Sequence, residues 1–464
     1  MNTQRQFLIT LLLTVVVLMS GCMVGPKYQK PTTEIPSAYR FDQAAADTAY
    51  NLRWWELFDD PVLDTLIAEA LRQNTDVRIA ASRVVQARLA VGYARADAFP
   101  RIGYEAGATR GNFLGGQKTD DPVNFFYGAA NLQWEIDFWG KYLHATAAAR
   151  SELLATEYGH RAVQIAIITE VVNVYFQLLD YQERMEITLQ TIQTRKGSLD
   201  IIQQRFDEGV VAGIDLNQAQ IQLAVAAGAL PQYERAVVQT ENALSFLLGR
   251  NPGQITTGLT LLQQSLPPEI PPGLPSELLQ RRPDIAQADE LLQAQYDRAG
   301  IAQAQRFPSI SITGLLGLAS ADLSTLTSGG AAWSVSGGLL GPIFNFGKNK
   351  RRFEIEKERI TEVEIQYEST VLQAFGEVEN ALISINTYGR QYLIKERELA
   401  AAQNASQLSN ERYDGGVTSY LEVLESERTL FQVQQEMSQL RREYLSGYIN
   451  LYQALGGGWI TPEQ

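Results

Sequence analysis

Apolar residues recur every seven positions along two stretches of this chain. Val371, Val378, Ile385, Tyr392 and Leu399 form one series, with Tyr367, Ala374, Ala381 and Tyr388 set between them. Val171, Leu178, Met185 and Ile192, with Val174 and Tyr181, hold the same register 207 positions earlier. A sustained heptad of this kind marks coiled-coil packing. For a lone stripe the core of a soluble enzyme would be the better reading, so length decides. No proline falls between Pro122 and Pro231, or between Pro342 and Pro462, and an interior proline would cost a helix about 3 kcal/mol. The first helix is predicted to run unbroken from about Lys141 to Arg205, roughly 100 Å of helix.

Each long helix stops at a glycine turn, Gly209 to Gly213 and Gly415-Gly416, which suits a stop and reversal. A return helix follows each turn. The first carries Leu223, Leu230, Tyr233, Val237, Leu244 and Leu248, the second Leu430, Met437, Leu440, Tyr444, Leu451 and Leu455. These returns cover about half of the outgoing length. Shorter helices over Pro61 to Ala98 and Ser276 to Arg306 are expected to cover the rest.

Between the helices the period falls to two. Leu132, Trp134, Ile136 and Phe138 alternate with Asn131, Gln133, Glu135 and Asp137; Ile310 and Ile312 alternate with Ser309, Ser311 and Thr313; Val335 lies between Ser334 and Ser336. One such strand alone suits a half-buried soluble sheet. With glycine and aromatics interleaved it fits a transmembrane barrel equally well. Gly111 to Val123 and Ser320 to Ala332 are polar and glycine-rich, and are expected to be hairpin loops.

The arrangement is written twice. Ala98-Phe99-Pro100-Arg101-Ile102 returns 208 positions later as Arg306-Phe307-Pro308-Ser309-Ile310. Arg205-Phe206-Asp207-Glu208-Gly209-Val210 returns 207 later as Arg412-Tyr413-Asp414-Gly415-Gly416-Val417. A period this long is a duplicated unit, not a solenoid repeat. Four strands cannot close a barrel, and eight would be filled by their own side chains. Twelve strands from three chains leave an aqueous lumen, and the same trimer supplies a helical tube. The fold class expected is α+β: a trimeric barrel with four strands per protomer, continuous with a long α-helical barrel.

Composition narrows the setting. The formal charge is −13 with 20% charged residues. That disfavours nucleic acid as a partner and describes a folded chain, not a disordered tail. Phe7 to Met19 is an apolar run behind Arg5, too short to span a bilayer, and reads as a signal peptide. The only cysteine, Cys22, follows Met19-Ser20-Gly21 at the cleavage point. This ending resembles a bacterial lipobox, so Cys22 is expected to carry lipid. Met23 after it suits an outer-membrane address.

Catalytic and metal chemistry were sought without result. His144 and His160 are the only histidines, sixteen apart, with no zinc-ligand spacing. They are expected to serve packing or surface roles. Five methionines are too few for a thioether relay. The run Gly341 to Asn349 is one residue too long for a phosphate loop and lacks its Ser/Thr. No cofactor, metal or catalytic residue is expected.

Cys22-Met23-Val24-Gly25-Pro26-Lys27-Tyr28, Trp54-Trp55 with Phe58-Asp60-Pro61, the two Phe-Pro copies and the two Gly-Val turns resemble the TolC-type outer-membrane efflux channels. The likeness is strongest to the lipoprotein branch that serves resistance-nodulation-division pumps. It implies a homotrimeric, lipid-anchored duct in the outer membrane that extends into the periplasm. Its implied partners are a periplasmic adaptor (membrane fusion) protein and a proton-driven inner-membrane pump for multiple drugs. A type I secretion duct is the alternative, and a pore-less coiled-coil lipoprotein a third reading. The implied partition is a signal peptide over 1–21, a lipidated arm and equatorial segment over 22–60, and a first repeat over 61–250. A proline-rich equatorial linker over 251–275, a second repeat over 276–456 and an equatorial tail over 457–464 complete it.

The resemblance also implies a gate at the periplasmic tips. Asp215 and Tyr413 match positions that tie the coils when closed, and Glu422 and Glu425 match acidic positions at the constriction. A family arginine is replaced by Thr418. Gly209, Val210, Gly213, Gly416, Val417 and Ser419 fall on the turns that dock the adaptor. Glu422 and Glu425, three apart, share a helix face, and a ring of carboxylates in a narrow pore favours cations. Carboxylates at a helix start are also favoured by the dipole alone.

Overall fold

The computed structural model describes residues 23–32, 35–36, 39–40, 53–114, 117–267, 279–328 and 330–457. Cys22, the signal segment and the residues after 457 lie outside them. In chain order the elements are α1 (Pro61–Gln73), α2 (Thr75–Ala96), β1 (Arg101–Leu114), β2 (Gln117–Ile136), α3 (Lys141–Asp207), α4 (Gly213–Leu247), α5 (Pro283–Ala304), β3 (Ser309–Ser320), β4 (Ala331–Leu340), α6 (Lys348–Asp414) and α7 (Tyr420–Ala454). The two outgoing helices have 67 residues each and the two returns 35 each. The duplication therefore holds in the lengths of the long helices and their returns, whereas the strands of the first copy, 14 and 20 residues, are longer than those of the second, 12 and 10.

The chain divides into two compact units. The first takes the arm through Thr32, Arg83–Glu157 and Gln287–Glu368. It holds one antiparallel sheet in the order β1-β2-β3-β4, so β1 and β4 present open edges. Both hairpins pair in tight register, from Arg101↔Gln133 in the first and Ser309↔Leu340 in the second. The expected loop over Gly111 to Val123 is instead strand: Gly111 pairs with Val123 and Phe113 with Lys118. Only residues 115–116 separate β1 from β2. The sequence misleads because strand beyond the apolar band needs no apolar face. A register shift between Gly111 and Phe113 accommodates Pro122, which has no N–H to pair.

Beside the sheet, the N-terminal arm lies on helix. The Val24 amide donates to the Trp139 carbonyl at 3.2 Å. The Tyr28 hydroxyl donates to the Asp289 carboxylate, and Lys30 reaches the same carboxylate at 3.1 Å. His144 is buried with Nδ1 2.7 Å from Asp297, against Gly25 and Gly300. It is a packing residue.

The second unit takes Thr33–Ser82, Tyr158–Ala286 and Ser369–Gln464. Its core packs Ile168, Val171, Tyr175 and Leu178 of α3 with Leu63 and Ile67 of α1 and Leu445 and Ile449 of α7. The heptad positions Val371, Ala374, Val378 and Ala381 of α6 are likewise buried. Part of α3 is apolar and long enough to cross a membrane, but 61% of that window is buried within the chain, as befits a core helix.

Asp60 is the polar centre of this unit. Its Oδ1 accepts from the Val62 and Leu63 amides, capping α1, while Oδ2 accepts from Tyr175 and Gln264, each at 2.7 Å. The single helix expected from Pro61 to Ala98 is broken at Asn74. Its side chain caps α2 through the Asp76 and Val77 amides and donates to the Leu247 carbonyl at 2.8 Å. An Asn that satisfies three backbone groups outweighs one continued turn. Of the helix expected from Ser276, residues 276–278 lie outside the described residues, 279–281 are helical, and after a break at Arg282 it resumes as α5 at Pro283, a favoured first position. The preceding Arg282 is buried and bonds Asp284, Glu377 and the Ala454 carbonyl.

Candidate functional site

The turns that end α3 and α6 are built alike. Gly209 and Gly416 adopt φ of 75° and 72°, where a Cβ would be strained. Gly209 N–H donates to the Phe206 carbonyl and Val210 N–H to Arg205; Gly416 donates to Tyr413 and Val417 to Arg412. This is the Schellman pattern, which satisfies the last carbonyls of each helix. It turns Val210 and Val417 outward, 69% and 71% exposed. Gly213 opens α4 and Ser419 caps α7, although its side chain makes no capping bond.

Behind the turns, Ile202 of α3 and Ala219 of α4 pack on Tyr420, Val423 and Leu424 of α7, with Leu199, Val211, Leu216 and Tyr413 around them. The Arg205 guanidinium lies 4.9 Å from the Tyr413 ring centroid and 3.5 Å from Asp414. That bridge joins one hairpin to the other. Tyr413 and Tyr420 stand 5.3 Å apart.

The predicted site residues fall here, and the structure gives each its partners. The Tyr413 hydroxyl is buried and, among the described residues, has no hydrogen-bond partner, so no bond joins it to Asp215. Asp215 faces Tyr420 instead. Burial first, then the nearby charges of Glu427 and Asp215, raises the Tyr420 hydroxyl well above its ordinary pKa. Glu422 accepts from the Thr418 hydroxyl and lies 3.7 Å from Arg412. Glu425 is bound at both oxygens by Arg428, at 3.0 and 2.5 Å. Those hydrogen bonds hold its carboxyl below the ordinary glutamate range. Arg428 was legible as an i,i+3 partner; Arg205 and Arg412 act across the fold and were not.

A second charged layer escaped sequence reasoning altogether. Arg195 of α3 is 3% exposed and donates from Nη1 to the Gln222 carbonyl of α4 at 2.6 Å. Its guanidinium lies 5.2 Å from the Phe431 ring of α7. Glu427 of α7 faces this positive charge and lies beside Asn410 of α6. Among the described residues, buried Arg195 Nε and Glu427 Oε1 are both without a hydrogen-bond partner. One layer therefore touches four helices and both hairpins. Among the described residues no cluster of His, Cys, Asp and Glu is arranged to hold a metal.

Known proteins share this architecture. The family described as outer membrane efflux protein matches residues 66–250 and again 274–457. Cation efflux system protein CusC of Escherichia coli O6:H1 is 34% identical over 453 residues, covering 96% of this chain and 97% of that one. Toluene efflux pump outer membrane protein TtgC of Pseudomonas putida is 33% identical over 464 residues, covering 97% and 96%. The solved outer-membrane channel OprN superposes with a TM-score of 0.89 at 28% identity, covering 94% of this chain and all of that one. The chain belongs to the outer membrane efflux proteins, the TolC-type channels.

Proposed function

We propose that three copies of this chain form the passive exit duct of a tripartite efflux system, opened at its periplasmic tips by an adaptor protein. The observation that carries this reading is the open-edged four-stranded sheet in a chain that also holds two matched helical hairpins. A sheet with both edges unpaired is completed by further copies of itself. The inner-membrane pump supplies the energy, and the duct performs no catalysis.

The gate is assigned to the tip layer. Asp215, Tyr413, Glu422 and Glu425 set its closed packing and charge, and the turns at Gly209, Val210, Gly213, Gly416, Val417 and Ser419 meet the adaptor. Exposed valines on rigid Schellman turns suit an apolar docking contact. Cys22 carries the lipid anchor. The pump is assigned to the multidrug class. CusC is named for cations and TtgC for toluene at nearly equal identity, but here thioethers after Cys22 occur only at Met23, Met185 and Met437. The duct thus offers no ladder for soft cations, and the pump selects the cargo.

Planar bilayer recordings of the purified trimer test the gate. Glu425→Ala is expected to weaken cation selectivity or raise single-channel conductance. Arg428→Ala, which bares Glu425, is expected to strengthen cation selectivity. If both variants keep the parent conductance and selectivity, the assignment of Glu425 to the constriction fails.

A further inference from the structure

The start of α6 carries charge where helix electrostatics oppose it. Lys348, Lys350, Arg351 and Arg352 occupy its first turn and a half with no acidic residue among them, at the end where the macrodipole disfavours cations. Only Lys350 has an intrachain ion pair, with Glu354 at 3.6 Å; among the described residues the side chains of Lys348, Arg351 and Arg352 have none. The chain as a whole is strongly acidic. An anionic group from outside the chain would offset this placement.

A receptacle lies beside it. Arg352, Glu356 and Arg359 of α6 and Arg298, Ile301 and Ala302 of α5 line a cavity of about 230 Å³. Arg298 pairs with Glu152 at 2.5 Å and Arg359 with Glu356 at 2.8 Å. Arg352 is the guanidinium left over. The first repeat has no counterpart: the positions matching Arg298, Arg352 and Arg359 are Ala90, Ala145 and Glu152. The arginines are therefore private to the second copy, and a shared need of the wall does not account for them.

The surroundings identify the anion. The end of β4 exposes Leu339 and Leu340, and the segment joining it to α6 exposes Ile343, Phe344 and Phe346, between 72% and 102%. Arg352 lies four residues into α6, about 6 Å along the helix from its start. A headgroup layer is about 5–8 Å deep on each side of the hydrocarbon. Apolar and aromatic side chains followed within a turn by a basic cluster match a membrane boundary. We propose that Arg298, Arg352 and Arg359 bind the phosphate of an anionic phospholipid in the periplasmic leaflet of the outer membrane.

Native mass spectrometry of the full-length trimer, released into neutral detergent with defined lipid, tests this. The trimer is expected to retain phosphatidylglycerol, up to one per protomer, in preference to phosphatidylcholine, and to keep it against excess inorganic phosphate. Arg352→Gln with Arg359→Gln should weaken retention by about fivefold for each arginine removed, while Arg352→Lys with Arg359→Lys should keep most of it. Equal retention of the two lipids, or unchanged retention by the glutamine variant, overturns the proposal. Displacement by inorganic phosphate alone would mark a free-anion site and overturn the lipid assignment. Loss of trimers in the glutamine variant without added lipid would make the patch a subunit contact instead.

Discussion

Arg195→Met asks whether charge, and not apolar packing alone, ties the two tip hairpins together. Methionine keeps much of the bulk against Phe431 but removes the 2.6 Å bond to the Gln222 carbonyl. A hydrogen bond from a charged group contributes about 1.5–3 kcal/mol. Glu427 also loses the positive charge facing it, and stripping one partner from a buried pair costs about 3–5 kcal/mol. Arg195 and Glu427 oppose each other without direct contact, so the lower figure applies. Even about 3 kcal/mol changes the hairpin equilibrium by roughly a hundredfold.

Spin labels at positions 210 and 417 report the separation directly, and amide exchange over 410–427 reports the packing. Both should show a loosened tip in the variant, whatever the bilayer current does, so a failed gate assignment remains distinguishable from a failed latch. Replacing both partners, Arg195→Met with Glu427→Leu, should recover much of the loss because no buried charge is left unmatched. Acid should act in the same direction. Burial raises the Glu427 pKa, opposed by Asn410 and by Arg195, with Tyr420 of α7 close by and Asp215 of α4 facing Tyr420. The folded form then binds the proton more tightly than the unfolded one. Its packing gains as pH falls from neutral through the raised pKa toward the ordinary glutamate value, and loses as pH rises. Exchange in Arg195→Met should slow on acidification, and Glu427→Gln should flatten that profile. Label distances and exchange equal to the parent would refute the argument.

Two further outcomes are expected. Cys22→Ser should abolish acyl labelling while trimers persist through the sheet; label surviving in the variant refutes the lipobox assignment. Asp60→Ala should destabilise the chain by about 4 kcal/mol, from one lost cap and two buried donors left unpaired. Tyr175 and Gln264 are those donors, and thermal unfolding measures the cost; a shift no larger than that of Asp59→Ala, an exposed neighbour, would contradict it.

Where the sequence was legible, one period dominated a long segment. The heptads of α3 and α6 and the alternation in β2 name their elements because one face of each must be buried. The misread places are those where a side chain satisfies backbone from outside the pattern. Asn74 ends one helix and starts another through its amide group alone. The upper arm of the first hairpin is strand without apolar alternation, because cross-strand hydrogen bonds need no apolar face. At the tip the residue types were readable and the partners were not. Glu425 has its arginine one turn away on its own helix, but Arg205, Arg195 and Arg412 find theirs only after the hairpins pack.

The duplication sharpens what the tip layer does. Subtracting the repeat turns Glu427 into Gln220, and adding it turns Arg195 into Ala402, which is buried. The charged layer thus exists in one of the two pseudo-equivalent settings and is neutral in the other. In a ring of three chains the hairpins meet at two kinds of junction, within a protomer and between protomers. Arg195 and Glu427 make the first kind sensitive to the loss of one partner, while pseudo-symmetry places only Ala402 and Gln220, both neutral, at the second. Removing a single charge is therefore expected to loosen the junction within a protomer and to leave the one between protomers unchanged.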